Sequence, residues 1–259
     1  MPIVELPEEY KRHVQIFLEE AAKQFLLSWP EDHAIRLKPG APDEIKCKIY
    51  PMTKQELKAT QKFLDDNLAL GYIKECNNGG SPWSAPFFYT GKKDGGLHPL
   101  QDYQAINSWT IRDNYPIPHI EQILEGLEGK ELFTALNIQW GYHNIQIQEE
   151  DQWKAAFRTV YGIFKPKVMF FGLSNSPPTF QRFMDWIFAP LKRKYPGCIF
   201  VYMDDILIAT GMDCTLHLRI VHEVLDLLVM ESLFCKLTKC HFKQETISYL
   251  GIVVEQGII

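Results

Sequence analysis

Residues 199–210 read I-F-V-Y-M-D-D-I-L-I-A-T, two apolar runs that meet at adjacent carboxylates, Asp204 and Asp205. Each run has strand length and is rich in β-branched and aromatic residues, which predicts two buried strands joined by a tight turn. A buried hairpin ordinarily turns on Gly or Asn, which tolerate positive φ. Two aspartates in that place repel each other and resist desolvation. One reading is an ordinary solvated Asp turn. The other is a charge pair compensated by a divalent metal together with a phosphate substrate. The flanking runs leave the turn little room to escape the core, so neighbouring segments have to decide.

Upstream, N-S-P-P at 175–178 is a strong helix start, a polar cap followed by proline. Phe180, Phe183, Met184, Ile187, Phe188 and Leu191 then recur at helical spacing, predicting a helix to about Tyr195. Downstream, Leu218, Val221, Leu225 and Leu228 predict a second helix, followed by short strands near His241–Phe242 and Ser248–Val254. Glu131–Asn137 reads as a strand, and Ile145 and Ile147 alternate with glutamines in another. Pro86–Thr90 and Leu97–Asp102 flank a turn, Gly91–Gly96, that carries Lys92 and Lys93. A helix near 119–127 lies between these groups. Thr53 with Glu56 forms a capping box for a helix carrying Leu57, Phe63, Leu64 and Leu68 inward and ending at Gly71. Ile45–Tyr50 reads as a half-buried strand. Residues 8–27 read as an amphipathic helix with Val14, Phe17, Leu18, Ala21 and Phe25 on one stripe. This order predicts an α+β fold, a sheet with helices packed on one face, preceded by a smaller layer over 43–127.

The chain of 259 residues carries a net charge of −5, with 46% hydrophobic and 23% charged residues, the balance of a soluble globular protein. It has no apolar run long enough for a membrane span and no signal-peptide core, so an intracellular location, cytoplasmic or nuclear, with no membrane partner is the expectation. The six cysteines form no C-x-x-C pair. Cys235, Cys240 and His241 come nearest to metal spacing but match no zinc module, and reduced thiols are expected. Only local basic clusters occur, at Lys46–Lys48, Lys92–Lys93 and Lys192–Lys194. The acidic balance argues that tight nucleic-acid binding would depend on further parts.

Five segments in register resemble the reverse transcriptases of gypsy-type long-terminal-repeat retrotransposons. They are K-K-D-G-G-L-H-P-L-Q-D-Y at 92–103, L-N-I-Q-W-G-Y at 136–142, F-G-L-S-N-S-P-P-T-F-Q at 171–181, Y-M-D-D at 202–205 and H-F-K-Q-E-T-I-S-Y-L-G-I at 241–252. The resemblance implies a right-hand polymerase fold with an antiparallel palm sheet: an N-terminal helix and connector over 1–42, fingers over 43–127, and palm with primer grip over 128–259. It implies a single reverse transcriptase domain over about 43–259, without the thumb, connection, ribonuclease H and integrase of a polyprotein. It also implies two-metal nucleotidyl transfer with Mg²⁺, or Mn²⁺ in its place, acting on an RNA or DNA template-primer and deoxynucleoside triphosphates.

By that resemblance Asp204 and Asp205 are metal ligands, and Tyr202 and Met203 belong to the nucleotide site. Tyr142 gates the incoming sugar, Gln181 lies near nucleotide and template, and Lys92 sits over the triphosphate. Plainer readings stand beside these: a core aromatic for Tyr142, an exposed helix residue for Gln181, a solvated turn for Lys92.

Three positions depart from the pattern. Asn137 stands where the family carries its first aspartate, His98 where it carries arginine before proline, and Gln104 where it carries arginine after D-Y. Asparagine removes a full negative charge and the ability to bridge two ions. At an effective dielectric near 20, charges 4 Å apart interact by about 4 kcal/mol, so the loss corresponds to orders of magnitude in rate. His98 removes the permanent charge of an arginine clamp. The expectation is a polymerase whose activity is reduced or lost. The alternative is a catalytically inactive polymerase-derived fold that binds nucleic acid or a protein.

Overall fold

The computed structural model of the chain describes residues 5–18, 29–76, 80–91 and 96–255. In chain order, α1 (Lys54–Ala69), β1 (Ile73–Glu75), β2 (Ala85–Gly91), β3 (Leu97–Gln101) and α2 (Gln104–Trp109) come first. They are followed by α3 (Ile120–Glu125), β4 (Leu132–Asn137), β5 (Phe157–Thr159), β6 (Gly162–Pro166) and α4 (Ser176–Lys194). The chain continues with β7 (Ile199–Tyr202), β8 (Asp205–Thr210), α5 (Cys214–Met230), β9 (His241–Gln244), β10 (Thr246–Tyr249) and β11 (Ile252–Glu255). The result is the expected α+β architecture.

Two compact units divide the chain: Met1–Gln24, Tyr115–Gly141 and Phe180–Ile259 form the first, Phe25–Asn114 and Tyr142–Thr179 the second. These units interleave along the chain.

The first unit is built on a four-stranded antiparallel sheet in the order β7-β8-β4-β9. All six residues of β4 are buried, so both sheet faces are covered. On one face Thr134 and Thr210 hydrogen-bond the imidazole of His217, at 2.8 and 2.9 Å, which seats α5 there. On the other face Phe133, Ala135, Leu207 and Ala209 pack with Ile123 and Leu127 and with Ile247, Tyr249 and Val254 from the β10–β11 hairpin. The helical layer therefore has a counterpart on the opposite face, made by the hairpin and the chain around α3.

The second unit carries a mixed sheet in the order β1-β6-β5-β2-β3, in which only the β2–β5 pair is parallel. The capping box at Thr53 is present, with the Glu56 amide donating to the Thr53 hydroxyl at 3.3 Å and the Thr53 amide to the Glu56 carboxylate at 2.7 Å. Leu64 is buried, and Phe63 packs on Phe87 at 5.2 Å, but Leu68 is exposed and Asn67 takes the inward place.

Three further sequence expectations are corrected. Glu8–Phe17 is a 3₁₀ helix that buries Tyr10, His13 and Ile16, whereas Val14 and Leu18 are exposed. A three-residue turn aligns positions i, i+3 and i+6, so the apolar stripe differs from one drawn at 3.6 residues per turn. Ala21 and Phe25, with the rest of the helix expected to 27, lie outside the described residues. Ile45–Tyr50 is not a strand. Only Ile45 pairs, in a single bridge to Trp83, because farther along the same edge Pro86 has no N–H to give and its carbonyl accepts from the Asp102 amide. Ile145 and Ile147 are buried as their alternation predicts, yet this stretch makes only isolated bridges, Gln146 to Val168 and Ile147 to His33.

Candidate active site at the carboxylate hairpin

Strands β7 and β8 pair from Ile199↔Ile208 to Tyr202↔Asp205, leaving Met203 and Asp204 as the two turn residues. Met203 occupies the left-handed region at φ 56°. A side chain there costs on the order of 1–2 kcal/mol, and the surroundings have to hold it. Gln181 supplies that hold from α4. Its Oε1 accepts from the Met203 amide at 2.8 Å, and its Nε2 donates to the Val201 carbonyl at 3.2 Å and to Asp185 Oδ2 at 3.2 Å. Gln181 is fully buried, so the reading of an exposed helix residue is excluded. Asp185 is itself fixed by Tyr115 and by Lys192, at 3.1 and 2.7 Å.

The register Asn137↔Asp205 brings the end of β4 against the turn. Asn137 Nδ2 donates to Asp205 Oδ1 at 2.7 Å and, more weakly, to Asp204 Oδ2 at 3.4 Å. An amide facing two carboxylates presents its N–H side, since its carbonyl would meet like charge. Burial first, and then the charge of Asp205, push the Asp204 carboxyl above the usual carboxylate range. Its own backbone N–H, the Lys239 ammonium and the Asn137 amide act in the opposite direction. Backbone bonds complete the frame: Ile138 N–H to the Asp204 carbonyl at 2.7 Å, and Lys236 N–H to the Asn137 carbonyl at 3.0 Å. The Tyr249 hydroxyl donates to the Asp205 carbonyl at 3.2 Å.

Gly141 completes the packing. A Cβ built there would stand 3.1 Å from the Phe180 ring and 3.5 Å from Asp204 Cβ, so a larger residue would press on the hairpin. Tyr249 and Gly141 lie in segments whose sequence reading assigned them no role. Their only signal was membership of the S-Y-L-G and W-G-Y motifs.

The structure thus gathers Asn137, Gln181, Tyr202, Met203, Asp204 and Asp205 in one unit, with half-buried Tyr202 also packed against the sheet core. Tyr142 and His98 belong to the other unit. Tyr142 lies in a 3₁₀ turn, half-buried, with its ring 4.8 Å from that of Phe171. His98 is half-buried on β3 opposite Thr90. Lys92 lies outside the described residues. Lys192 and Lys194, from a basic cluster of the sequence, are paired with Asp185 and Glu223, each at 2.7 Å.

Among the described residues, no group of three or more His, Cys, Asp or Glu side chains is arranged to hold a metal ion. Two other acids that could stand in for a third carboxylate, Asp102 and Asp151, belong to the second unit and are engaged there. Asp151 accepts from the Ile35 amide at 2.6 Å and pairs with Lys154, and Asp102 accepts from the Gln104 amide at 3.0 Å. No helix among the described residues is long and apolar enough to cross a membrane.

Residues 90–254, well over half of the chain, match the family model described as reverse transcriptase (RNA-dependent DNA polymerase). The Transposon Tf2-3 and Tf2-7 polyproteins of Schizosaccharomyces pombe are each 31% identical over 212 residues, covering 82% of this chain. The chain spans 15% of the length of these curated relatives. Among solved structures, the foamy viral protease-reverse transcriptase in complex with an RNA/DNA hybrid superposes with a TM-score of 0.77 at 22% identity, covering 97% of this chain and 34% of that one. The native prototype foamy virus protease-reverse transcriptase gives a TM-score of 0.76 at 22% identity, covering 96% and 33%. At that identity these two structures support the fold.

Proposed function

The chain belongs to the reverse transcriptase family, and we propose that it is the fingers and palm of a retrotransposon-derived RNA-directed DNA polymerase whose nucleotidyl transfer is impaired at Asn137. The observation that carries this reading is the Asn137 amide, which ties Asp205 and Asp204 together through its N–H groups at 2.7 and 3.4 Å. A third carboxylate at that place would repel the other two and leave a cation as the natural compensator. The amide lessens that need by donating to both carboxylates.

The fit to the family's Mg²⁺ pair follows from the donor set. Two ions about 4 Å apart require several anionic oxygens. Two carboxylates and an N–H-presenting amide do not meet that requirement. The most this set would hold is one Mg²⁺ or Mn²⁺ on Asp204 and Asp205, with the amide turned to present its carbonyl. Such an ion, when bound, would neutralise the pair and contact a phosphate. The residues of the chain supply the rest: Gln181 holds the Met203–Asp204 turn, and Tyr249 and Ile138 fix its carbonyls.

On this reading the nucleic acid is a template-primer, and the nucleotide site draws on Tyr142 as sugar gate, on Tyr202, Met203 and Gln181 at the hairpin, and on Lys92 and His98 toward the triphosphate. Polyprotein partners, namely thumb, ribonuclease H and integrase, follow from the same reading. The second reading, a polymerase-derived binding fold without turnover, is favoured by the same amide, because it presents N–H groups where a metal would need an oxygen.

Primer extension on an RNA template with Mg²⁺ or Mn²⁺ separates the two. Slow extension that rises in Asn137→Asp with His98→Arg supports the impaired polymerase. Retained template-primer binding with no extension in either form supports the binding fold. Full-rate, Mg²⁺-dependent extension by the unaltered chain overturns the assignment of impairment to Asn137.

A further inference from the structure

Within the first unit, Glu8–Phe17 is seated against α5 and β9 by a cluster of rings. Tyr10 stacks on Phe242 of β9 at 4.7 Å and lies 5.5 Å from the imidazole of His222 on α5. The His13 ring stands 5.3 Å from the same imidazole. At the far end of the segment the Ile16 carbonyl accepts from the Cys235 amide at 2.7 Å. Tyr10 and His13 are buried. The Tyr10 hydroxyl and the Nδ1 atoms of His13 and His222, all buried, have no hydrogen-bond partner among the described residues, one another included.

The charges around these rings are already matched. His13 Nε2 lies 2.7 Å from Asp226 Oδ1, so that nitrogen carries the proton and donates, and Nδ1 is left as a bare lone pair. The Arg12 guanidinium meets the other oxygen of Asp226 at 3.5 Å. His222 has no acceptor at Nδ1, so a proton added there makes a buried N–H with nothing to receive it. Burial first, then the charges of Arg12 and His13, hold the His222 imidazole below its ordinary range, while Asp226 and Glu9 act in the opposite direction. Tyr10 stays neutral, its hydroxyl pushed up to about 12 by burial and by Glu9. From β9 the cluster receives Phe242, which carries no charge.

We propose that this cluster is an acid-released latch, in which protonation of His222 frees Glu8–Phe17 from α5 and β9 while the four-stranded sheet stays folded. Release lets Nδ1 of His222 reach water, which receives the added N–H. A group held below its ordinary value in the docked form stabilises docking fully above that value, about 6.5 for imidazole. The stabilisation is lost as pH falls through the docked value. The sheet does not depend on the segment: its order β7-β8-β4-β9 takes no strand from Glu8–Phe17, and β4 pairs with β8 from Leu132↔Thr210 to Asn137↔Asp205. The latch stands on this packing and is independent of turnover at Asp204 and Asp205.

The test is amide exchange of the unaltered chain at about pH 7.5 and about pH 5.5, expressed as protection relative to the intrinsic rate at each pH. Protection over residues 8–18 is expected to fall about fivefold or more at the lower pH, while β4 and β8 keep theirs. His222→Phe keeps a ring against Tyr10 and takes no proton, so the segment should stay docked at both pH values. Equal protection of 8–18 at the two pH values in the unaltered chain overturns the proposal. So does a pH dependence that survives in His222→Phe, or a loss that β4 and β8 share. Should His222→Phe fail to fold, an NMR titration of the His222 ring in the unaltered chain decides. Release with a midpoint that does not coincide with protonation of that ring overturns the latch.

Discussion

Replacing Asn137 by aspartate removes the amide that joins the two carboxylates and puts an anion in its place. In the structure the replaced nitrogen stands 2.7 Å from Asp205 Oδ1 and 3.4 Å from Asp204 Oδ2. Like charges at 2.7 Å and an effective dielectric near 20 repel by about 6 kcal/mol, and relaxation to about 4 Å still leaves about 4 kcal/mol. Loss of the shorter, charge-assisted bond adds roughly 1.5–3 kcal/mol. Proton uptake by one of the three carboxyls limits the total. The expected net loss of stability in chelator at neutral pH is therefore roughly 2–4 kcal/mol, a fall in melting temperature on the order of 5–15 °C. Divalent cation should return much of this to the variant, since a ligand at about a hundred times its Kd contributes about 2.7 kcal/mol. The unaltered chain should respond weakly to the same cation. The assay is thermal unfolding of both chains across a Mn²⁺ and Mg²⁺ titration, with calorimetry for affinity. A variant as stable as the parent in chelator, or one that gains no more from Mn²⁺ than the parent does, refutes the reasoning, because Asn137 would not then be compensating the pair.

Gln181→Ala leaves the Met203 amide and the Val201 carbonyl without their partner in a buried site, and urea unfolding should show a loss of about 2–4 kcal/mol. Asp204→Asn should be stabilising near neutral pH by about 1 kcal/mol, as charge removal at a strained site commonly is. The Asp204 carboxyl is raised by burial and by Asp205, so its ionised form opposes folding above its folded pKa. The advantage of the variant should accordingly shrink as pH falls through that pKa, and a gain that grows toward acid would contradict the assignment. His33 and His217 are buried, and burial lowers each to about 4. Their neutral forms are favoured in the folded chain, so their contribution is complete above pH 6.5 and is lost as pH falls from 6.5 toward 4. Each should add up to about 1.4 kcal/mol per pH unit to the slope of stability against pH. Replacing His217 by Gln should flatten that slope; an unchanged slope would mean that the imidazole is not held neutral between Thr134 and Thr210.

Local chemistry alone was enough for much of the frame. The capping box at Thr53, the helix after Asn175 and the hairpin about Asp204 and Asp205 depend on neighbours within a few residues, and each formed where expected. Elements that depend on a distant partner were not legible in the same way. Ile45–Tyr50 has a strand's alternation but no free ladder to join, and Glu8–Phe17 buries the face of a three-residue turn.

The sequence by itself determined the family, through five motifs in order, and identified Asn137 as the uncharged member of a carboxylate site. Both are properties of residue type and spacing. Only the tertiary structure decided what the amide does there, because the contact of Asn137 with Asp205 is a register between strands 68 residues apart. It likewise decided that Gln181 is spent on the Met203 amide inside the protein, since burial depends on what the rest of the chain packs over a side chain.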